Sequence, residues 1–235
     1  MNPIAVIGAG PAGLAAAEVV AASGLPVVVC EQMPSPGRKV LMAGLGGLNI
    51  THSEPADSFI ARYTDRAPAL RPMIEAFTPD HLRQWCRDLG EPTFVGTSGR
   101  VFPESFKASP LLRAWLGKLD RLGVTLRNRH RWTGWDDDGA LTFELGGGET
   151  LAFQASATVL ALGGATWPRL GSTGAWKSAL AERGVLLSPF EPSNCGFEVS
   201  WSERLLSQHE GKPVKNTDFR FGAHHSRAEA VITKR

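Results

Sequence analysis

The first apolar run of the chain is short and unbroken. Ile4 to Ile7 shows no polar alternation, which predicts a strand buried on both faces, as in a parallel sheet. A glycine turn follows. Ala12 to Ser23 is Ala-rich and predicts a helix, with Gly24 placed to end it. Leu25 to Cys30 is β-branched and apolar, and predicts a second buried strand. Strand, glycine turn, helix and strand within about 30 residues make a βαβ unit.

Further along, Gln32 to Thr51 is rich in Gly and carries Pro34 and Pro36, which predicts an extended loop. Ser58 to Tyr63, Leu70 to Phe77 and Pro79 to Leu89 predict helices, and Thr93 to Val95 and Arg100 to Phe102 short strands. Pro110 to Leu122 has apolar residues near helix period and stops at Gly123. Val124 to Trp135, Ala140 to Leu145 and Thr150 to Phe153 predict a three-stranded antiparallel meander, turned at Asp136 to Gly139 and Gly146 to Gly148. Ala157 to Leu162 predicts one more buried strand, ending in Gly163-Gly164. Ala175 to Arg183 predicts a short helix. From Pro189 the pattern changes to short polar, Pro-containing segments. The expected division is therefore 1–188 as one α/β domain and 189–235 as the beginning of a second, mostly β domain.

Composition narrows the class. Of 235 residues, 43% are hydrophobic and 20% charged, which suits a packed globular core. A net charge of +2 argues against nucleic acid or an anionic membrane as the main partner. Cys30, Cys86 and Cys195 are three in number and far apart, which fits a reducing cytoplasm better than a disulfide framework. The apolar N-terminus lacks a basic leader and is broken by Gly8, Gly10, Pro11 and Gly13, so neither a signal peptide nor a membrane span is expected.

The candidate chemistry begins at Gly8-Ala9-Gly10-Pro11-Ala12-Gly13, a GxGxxG run lying between a strand and a helix. Glu31 follows Gly13 by 18 residues, near the offset of about 20 expected of a dinucleotide fingerprint. Gly8 permits the tight turn, Gly10 lets backbone approach a pyrophosphate, and Gly13 lets helix and sheet pack closely. The helix N-terminus offers free N–H groups and positive dipole to phosphate. Glu31 can accept hydrogen bonds from ribose hydroxyls, and its charge opposes a 2′-phosphate.

The run alone does not separate FAD from NAD. The long loop, the meander and the strand ending in Leu162-Gly163-Gly164 resemble FAD-binding domains of the glutathione-reductase type. Gly37-Arg38-Lys39-Val40-Leu41, Gly44 to His52, Gly99 to Pro103 and Asn194-Cys195-Gly196-Phe197 add a closer likeness. Together they resemble the bacterial NAD(P)/FAD-dependent oxidoreductases, the aminoacetone-oxidase-like and bile-acid-inducible-type flavoproteins. That resemblance implies non-covalent FAD, an inserted β-rich domain, and hydride transfer between flavin and a small-molecule substrate or NAD(P)H.

It also implies roles. Gly8, Gly10, Pro11, Ala12, Gly13 and Glu31 would hold the nucleotide. Arg38 and Lys39 would face the pyrophosphate or ribityl end. Gly44, Gly46 and Gly47 would let backbone pack on the flavin, with Asn49 and Thr51 as polar partners. Arg131 or Trp132 would lie near adenine, and Gly163 and Gly164 near the phosphates. The family continues past the point that corresponds to Arg235, so the chain reads as C-terminally incomplete. Alternatives are a flavin-binding module of RNA modification, a plain NAD-binding dehydrogenase, and an inactive truncated flavoprotein fragment. His52 is the leading acid/base candidate. His224-His225 and Asp136 to Asp138 lack ligand spacing for a metal.

Overall fold

The computed structural model describes residues 2–44, 47–191 and 196–233. The chain divides into two compact units, Met1–Ser188 and Pro189–Arg235. The elements of the first unit are, in order, β1 (Ile4–Ile7), α1 (Pro11–Ala22), β2 (Val27–Glu31), α2 (Arg38–Ala43), β3 (Thr51–His52), α3 (Ala56–Ala61), α4 (Ala67–Ala76), α5 (Pro79–Asp88), β4 (Thr93–Val95), β5 (Arg100–Pro103), α6 (Ala108–Arg121), β6 (Thr125–Asn128), β7 (His130–Trp135), β8 (Leu141–Leu145), β9 (Thr150–Phe153), β10 (Ala157–Leu160) and α7 (Lys177–Ala181). The second unit contributes α8 (Glu203–His209), β11 (Pro213–Phe221) and β12 (His224–Val231).

A parallel sheet of order β10-β1-β2-β6 forms the centre of the first unit. Alternate residues of the two central strands, β1 and β2, serve two different cores, which is why these two read as continuous apolar runs. The expectation of another buried strand at Ala157 to Leu162 is corrected, since β10 lies beside β1 at the sheet's side and is at most half-buried. Val6, Val27 and Val29 pack with Leu14 and Ala17 of α1 and with Leu112, Trp115 and Leu119 of α6. Ala5, Ile7, Val28 and Cys30 pack with Trp132, Leu141 and Phe143 of the β7-β8-β9 meander. The unit is thus a Rossmann-type α/β layering of helix, parallel sheet and antiparallel sheet. A small β3-β5-β4 sheet stands apart, with Phe94, Phe102 and Phe106 in mutual ring contact.

Several expectations are corrected. The segment expected as one strand from Val124 to Trp135 is two. Its first half joins the parallel sheet beside β2, and its second half starts the meander. The break is at Arg129, which takes a left-handed φ of 59°. The expected loop from Gln32 to Thr51 contains α2, started by Gly37 at φ 66°. A side chain on Gly37 would lie 2.6 Å from Leu112 Cδ2, so glycine also lets this turn sit against α6. The helix expected from Ala175 to Arg183 is confined to Lys177–Ala181, and the one expected from Leu70 starts at Ala67.

In the second unit, α8 is capped by Ser202, whose Oγ accepts the Leu205 N–H at 3.3 Å. β11 and β12 form an antiparallel hairpin with an irregularity between Val214 and Thr217. His224 and His225 lie on β12. Leu45, Gly46, Asn194 and Cys195 lie outside the described residues. Among those described, no helix is long and apolar enough to cross a membrane.

Cys30 and Cys86 are free and buried. Burial pushes both thiols up from 9.0 to about 11, against smaller lowering effects from Arg127 and Arg87. Between those values the folded chain keeps protons that the unfolded chain has lost. Stability is therefore intact below pH 9 and falls as pH rises towards about 11. The thiols should also be inert as nucleophiles. At pH 8, iodoacetamide is expected to leave Cys30 and Cys86 unmodified in the folded chain and to label both in urea (about pH 8 being below both thiol values). Peptide mapping by mass spectrometry checks this.

Candidate functional site

The C-terminal ends of β1, β2 and β10 open onto a cleft of about 480 Å³. Parallel strands place their chain turns at this edge, so ligands of α/β sheets collect there. The glycine turn after β1, the start of α2, β7 and the loop after β10 complete the walls.

The three glycines of the first turn have different reasons to be glycine. At Gly8, φ is 104° and a Cβ would lie 2.4 Å from the Ala161 carbonyl oxygen. At Gly13, a Cβ would lie 1.8 Å from the Gly8 carbonyl oxygen. Gly8 is required by the close approach of the backbone after β10, and Gly13 by the packing of α1 on the turn. Gly10 differs: a Cβ there meets no atom within 4 Å, and Gly10 lines the cleft. Its φ of −80° is open to any residue. The missing side chain at Gly10 therefore leaves free room in front of the N-terminus of α1, whose first turn carries no acid.

Glu31 closes the turn from the other side. Its Oε2 accepts the Ala9 N–H and its Oε1 the Met33 N–H, each at 2.8 Å. Each oxygen retains a second lone-pair direction, so the carboxylate can still accept from hydroxyls. Arg38 and Lys39, at the start of α2, bring two cations to the cleft. Arg38 Nη1 donates to Ser35 Oγ at 3.2 Å, and Lys39 Nζ to Ser172 Oγ at 2.9 Å. Among the described residues neither has a carboxylate partner. Arg38 Nε and Trp132 Nε1 are buried with no hydrogen-bond partner among those residues.

Pro11, Arg131, Trp132 and Gly163 also line the cleft. Arg131 pairs with Glu144 of β8, and Trp132 is 8% exposed and edge-on to Trp135 at 4.8 Å. Ala12 and Gly13 sit behind the turn, inside α1. Gly164 does not line the cleft, and its carbonyl accepts Ser172 Oγ at 2.7 Å.

Gly44, Gly47, Asn49 and Thr51 are not brought to this cleft. Gly44 instead lets α2 end against Ala108, where a Cβ would come within 2.5 Å. Asn49 Nδ2 donates to the Thr51 and Val101 carbonyls at 2.7 and 3.1 Å, which ties β3 to β5. His52 is engaged at both ring nitrogens, with the Glu54 N–H at 3.1 Å and the Ser98 carbonyl at 3.0 Å. It is held as a turn element.

Sequence reasoning missed Gln32, Ser172, Thr173 and Trp176, all of which line the cleft. The one signal was Gly171-Ser172-Thr173-Gly174, a small polar run between glycines after a strand. Gly171 and Gly174 take φ of 91° and 72°, so this loop turns back onto the sheet edge.

The room at Gly10, the acid-free helix start, the two cations without acid partners and the orphaned Arg38 Nε fit a diphosphate. Glu31 fits the neighbouring ribose. The donor set thus suits a dinucleotide such as FAD.

The family described as the HI0933-like protein Rossmann domain matches residues 2–209. A 3-dehydro-bile acid delta(4,6)-reductase from Clostridium scindens is 29% identical over 205 residues, covering 85% of this chain and 48% of that protein. The chain therefore spans about half the length of this curated relative. Among solved structures, the open conformation of a flavocytochrome c3 fumarate reductase matches with a TM-score of 0.54 and 21% identity, over 69% of this chain and 34% of that one. A 3-ketosteroid-delta4-(5alpha)-dehydrogenase from Rhodococcus jostii RHA1 matches with a TM-score of 0.49 and 17% identity, over 69% of this chain and 46% of that one. The likeness to the fumarate reductase is one of fold.

Proposed function

Since the chain belongs to the HI0933-like Rossmann-domain family, we propose that it binds FAD in the β1-β2-β10 cleft and serves an FAD-dependent oxidoreductase. One observation carries the reading: Gly10 faces the cleft with no protein atom near its missing Cβ. The fold itself gives no steric reason for glycine there, and a closely approaching diphosphate does.

In this reading the N-terminus of α1 and the Arg38 and Lys39 cations take the diphosphate charge. Glu31 accepts from ribose hydroxyls and disfavours a 2′-phosphate. Arg131 and Trp132 border the adenine end. Bound FAD would supply the two-electron acceptor for a hydride from a small-molecule substrate or NAD(P)H. The reductase name of the Clostridium scindens relative supports the oxidoreductase class. Nucleic acid and membrane are not partners in this reading, in keeping with the net charge of +2.

The test is an absorption spectrum of the purified chain before and after FAD is added. A yellow chain that retains flavin through gel filtration is the expected result. Anaerobic NADH and NADPH should then be added in turn, and bleaching by one of them identifies the donor. A folded chain that takes up no FAD defeats the cofactor assignment.

A further inference from the structure

Ser172 is the one buried polar side chain among the described residues, at 4% exposed. Its hydroxyl joins two parts of the cleft that are 133 residues apart at one contact. It accepts from Lys39 Nζ at 2.9 Å and donates to the Gly164 carbonyl at 2.7 Å. The backbone around it is held in unusual conformations. Trp167 takes a left-handed φ of 67° although bulky and 58% exposed, and its carbonyl accepts the Leu170 N–H at 2.9 Å. Gly171 takes φ 91°, and its carbonyl accepts from Gln32 on the far side of the cleft. Left-handed conformations in non-glycine residues are unfavourable and persist where the surroundings over-determine them.

The hydroxyl is the right group for this place. It can accept from an ammonium and donate to a carbonyl at once, and it carries no charge of its own. A carboxylate at 172 would neutralise Lys39, and an alanine would leave the ammonium without its fixed partner. We propose that Ser172 is a positioning residue, which holds the Lys39 ammonium aimed at the cofactor's diphosphate while keeping its full charge available. The loop after β10 is then the part of the fold that sets the phosphate-binding cation on α2. This rests on the FAD reading of the cleft.

The experiment is a flavin-fluorescence titration of the full chain and its Ser172→Ala, Lys39→Met and doubly substituted forms, at low and at high salt, with melting curves alongside. Lys39→Met is expected to weaken FAD binding roughly tenfold or more, the size of one charge-assisted hydrogen bond. Ser172→Ala is expected to weaken it roughly fivefold and to flatten its salt dependence, as loss of an aimed charge requires. The double form should bind no more weakly than Lys39→Met alone. Where the wild type binds FAD, two results overturn the proposal: Ser172→Ala binding FAD as the wild type does, whatever its melting point, or losses that multiply in the double form. A wild-type chain that binds no FAD overturns the cofactor reading, and this proposal with it. A wild-type chain that binds while Ser172→Ala is silent overturns this proposal alone.

Discussion

Replacing Gly13 with alanine is expected to destabilise the first unit severely, at a cost of roughly 4 kcal/mol or more. The new methyl would sit 1.8 Å from the Gly8 carbonyl oxygen and 3.3 Å from Ala161 Cβ. The first neighbour is backbone of the β1 turn, so no rotamer change relieves it. Relief requires α1 to lift from β1, which exposes Leu14 and Ala17 from the core beneath. Domains of this kind hold only about 5–15 kcal/mol in reserve. Gly10→Ala makes the contrast. Its methyl meets nothing within 4 Å, so the melting curve should stay close to the wild type. FAD binding should weaken roughly tenfold or more, because that methyl stands where the diphosphate must approach. Circular-dichroism melts and FAD titrations of the two chains check both halves. A Gly13→Ala chain that melts like the wild type refutes the packing argument. A Gly10→Ala chain that binds FAD normally removes the diphosphate from that position.

Glu18→Ala is expected to be strongly damaging although Glu18 lies away from the cleft. Glu18 lies on α1 and is 14% exposed. Its carboxylate accepts the indole N–H of Trp115 at 2.6 Å and of Trp85 at 3.1 Å, and pairs with Lys118 Nζ at 2.6 Å. The two indoles meet edge to face at 4.8 Å. One carboxylate thus ties together α1, α5 and α6, across 67 to 100 residues of chain. Removing it strands two indole N–H groups and an ammonium, at roughly 2–4 kcal/mol in total. For a chain of this size that lowers the melting temperature by roughly 5–15 °C. Glu18→Gln keeps an acceptor for the indoles and loses the ion pair, so its melting point should fall between the other two. Equal melting points for Glu18→Gln and Glu18→Ala would assign the whole effect to the charge.

The parts of the fold that were legible are those written locally. The βαβ unit, the α6 stripe and the β8 and β9 strands each carry their own period and their own glycine stops. Both faces of the central strands are buried, so Ile4–Ile7 and Val27–Glu31 read as continuous apolar runs. The motif pattern also pointed to the family that the comparison shows. The Arg129 break was not legible, because Thr125–Asn128 and His130–Trp135 are both good strand sequence. What separates them is that one edge of β2 and one edge of β8 were both open to a partner. That choice is made by pairing across the chain, and no local period records it.

The candidate site divides in the same way. By itself the sequence determined the glycine turn, Glu31 at the end of the second strand and two cations after it, since these lie within about one βαβ unit. Only the tertiary structure decided that Gly10 opens onto a cleft while Gly8 and Gly13 are filled by their neighbours. Only it set Asn49 to holding β3 on β5, and His52 to a turn. Only it brought Ser172 to Lys39. Local residue pattern governs which backbone conformation a segment prefers. Contacts between distant segments depend on closing long loops, and that free energy is shared by the whole packed unit.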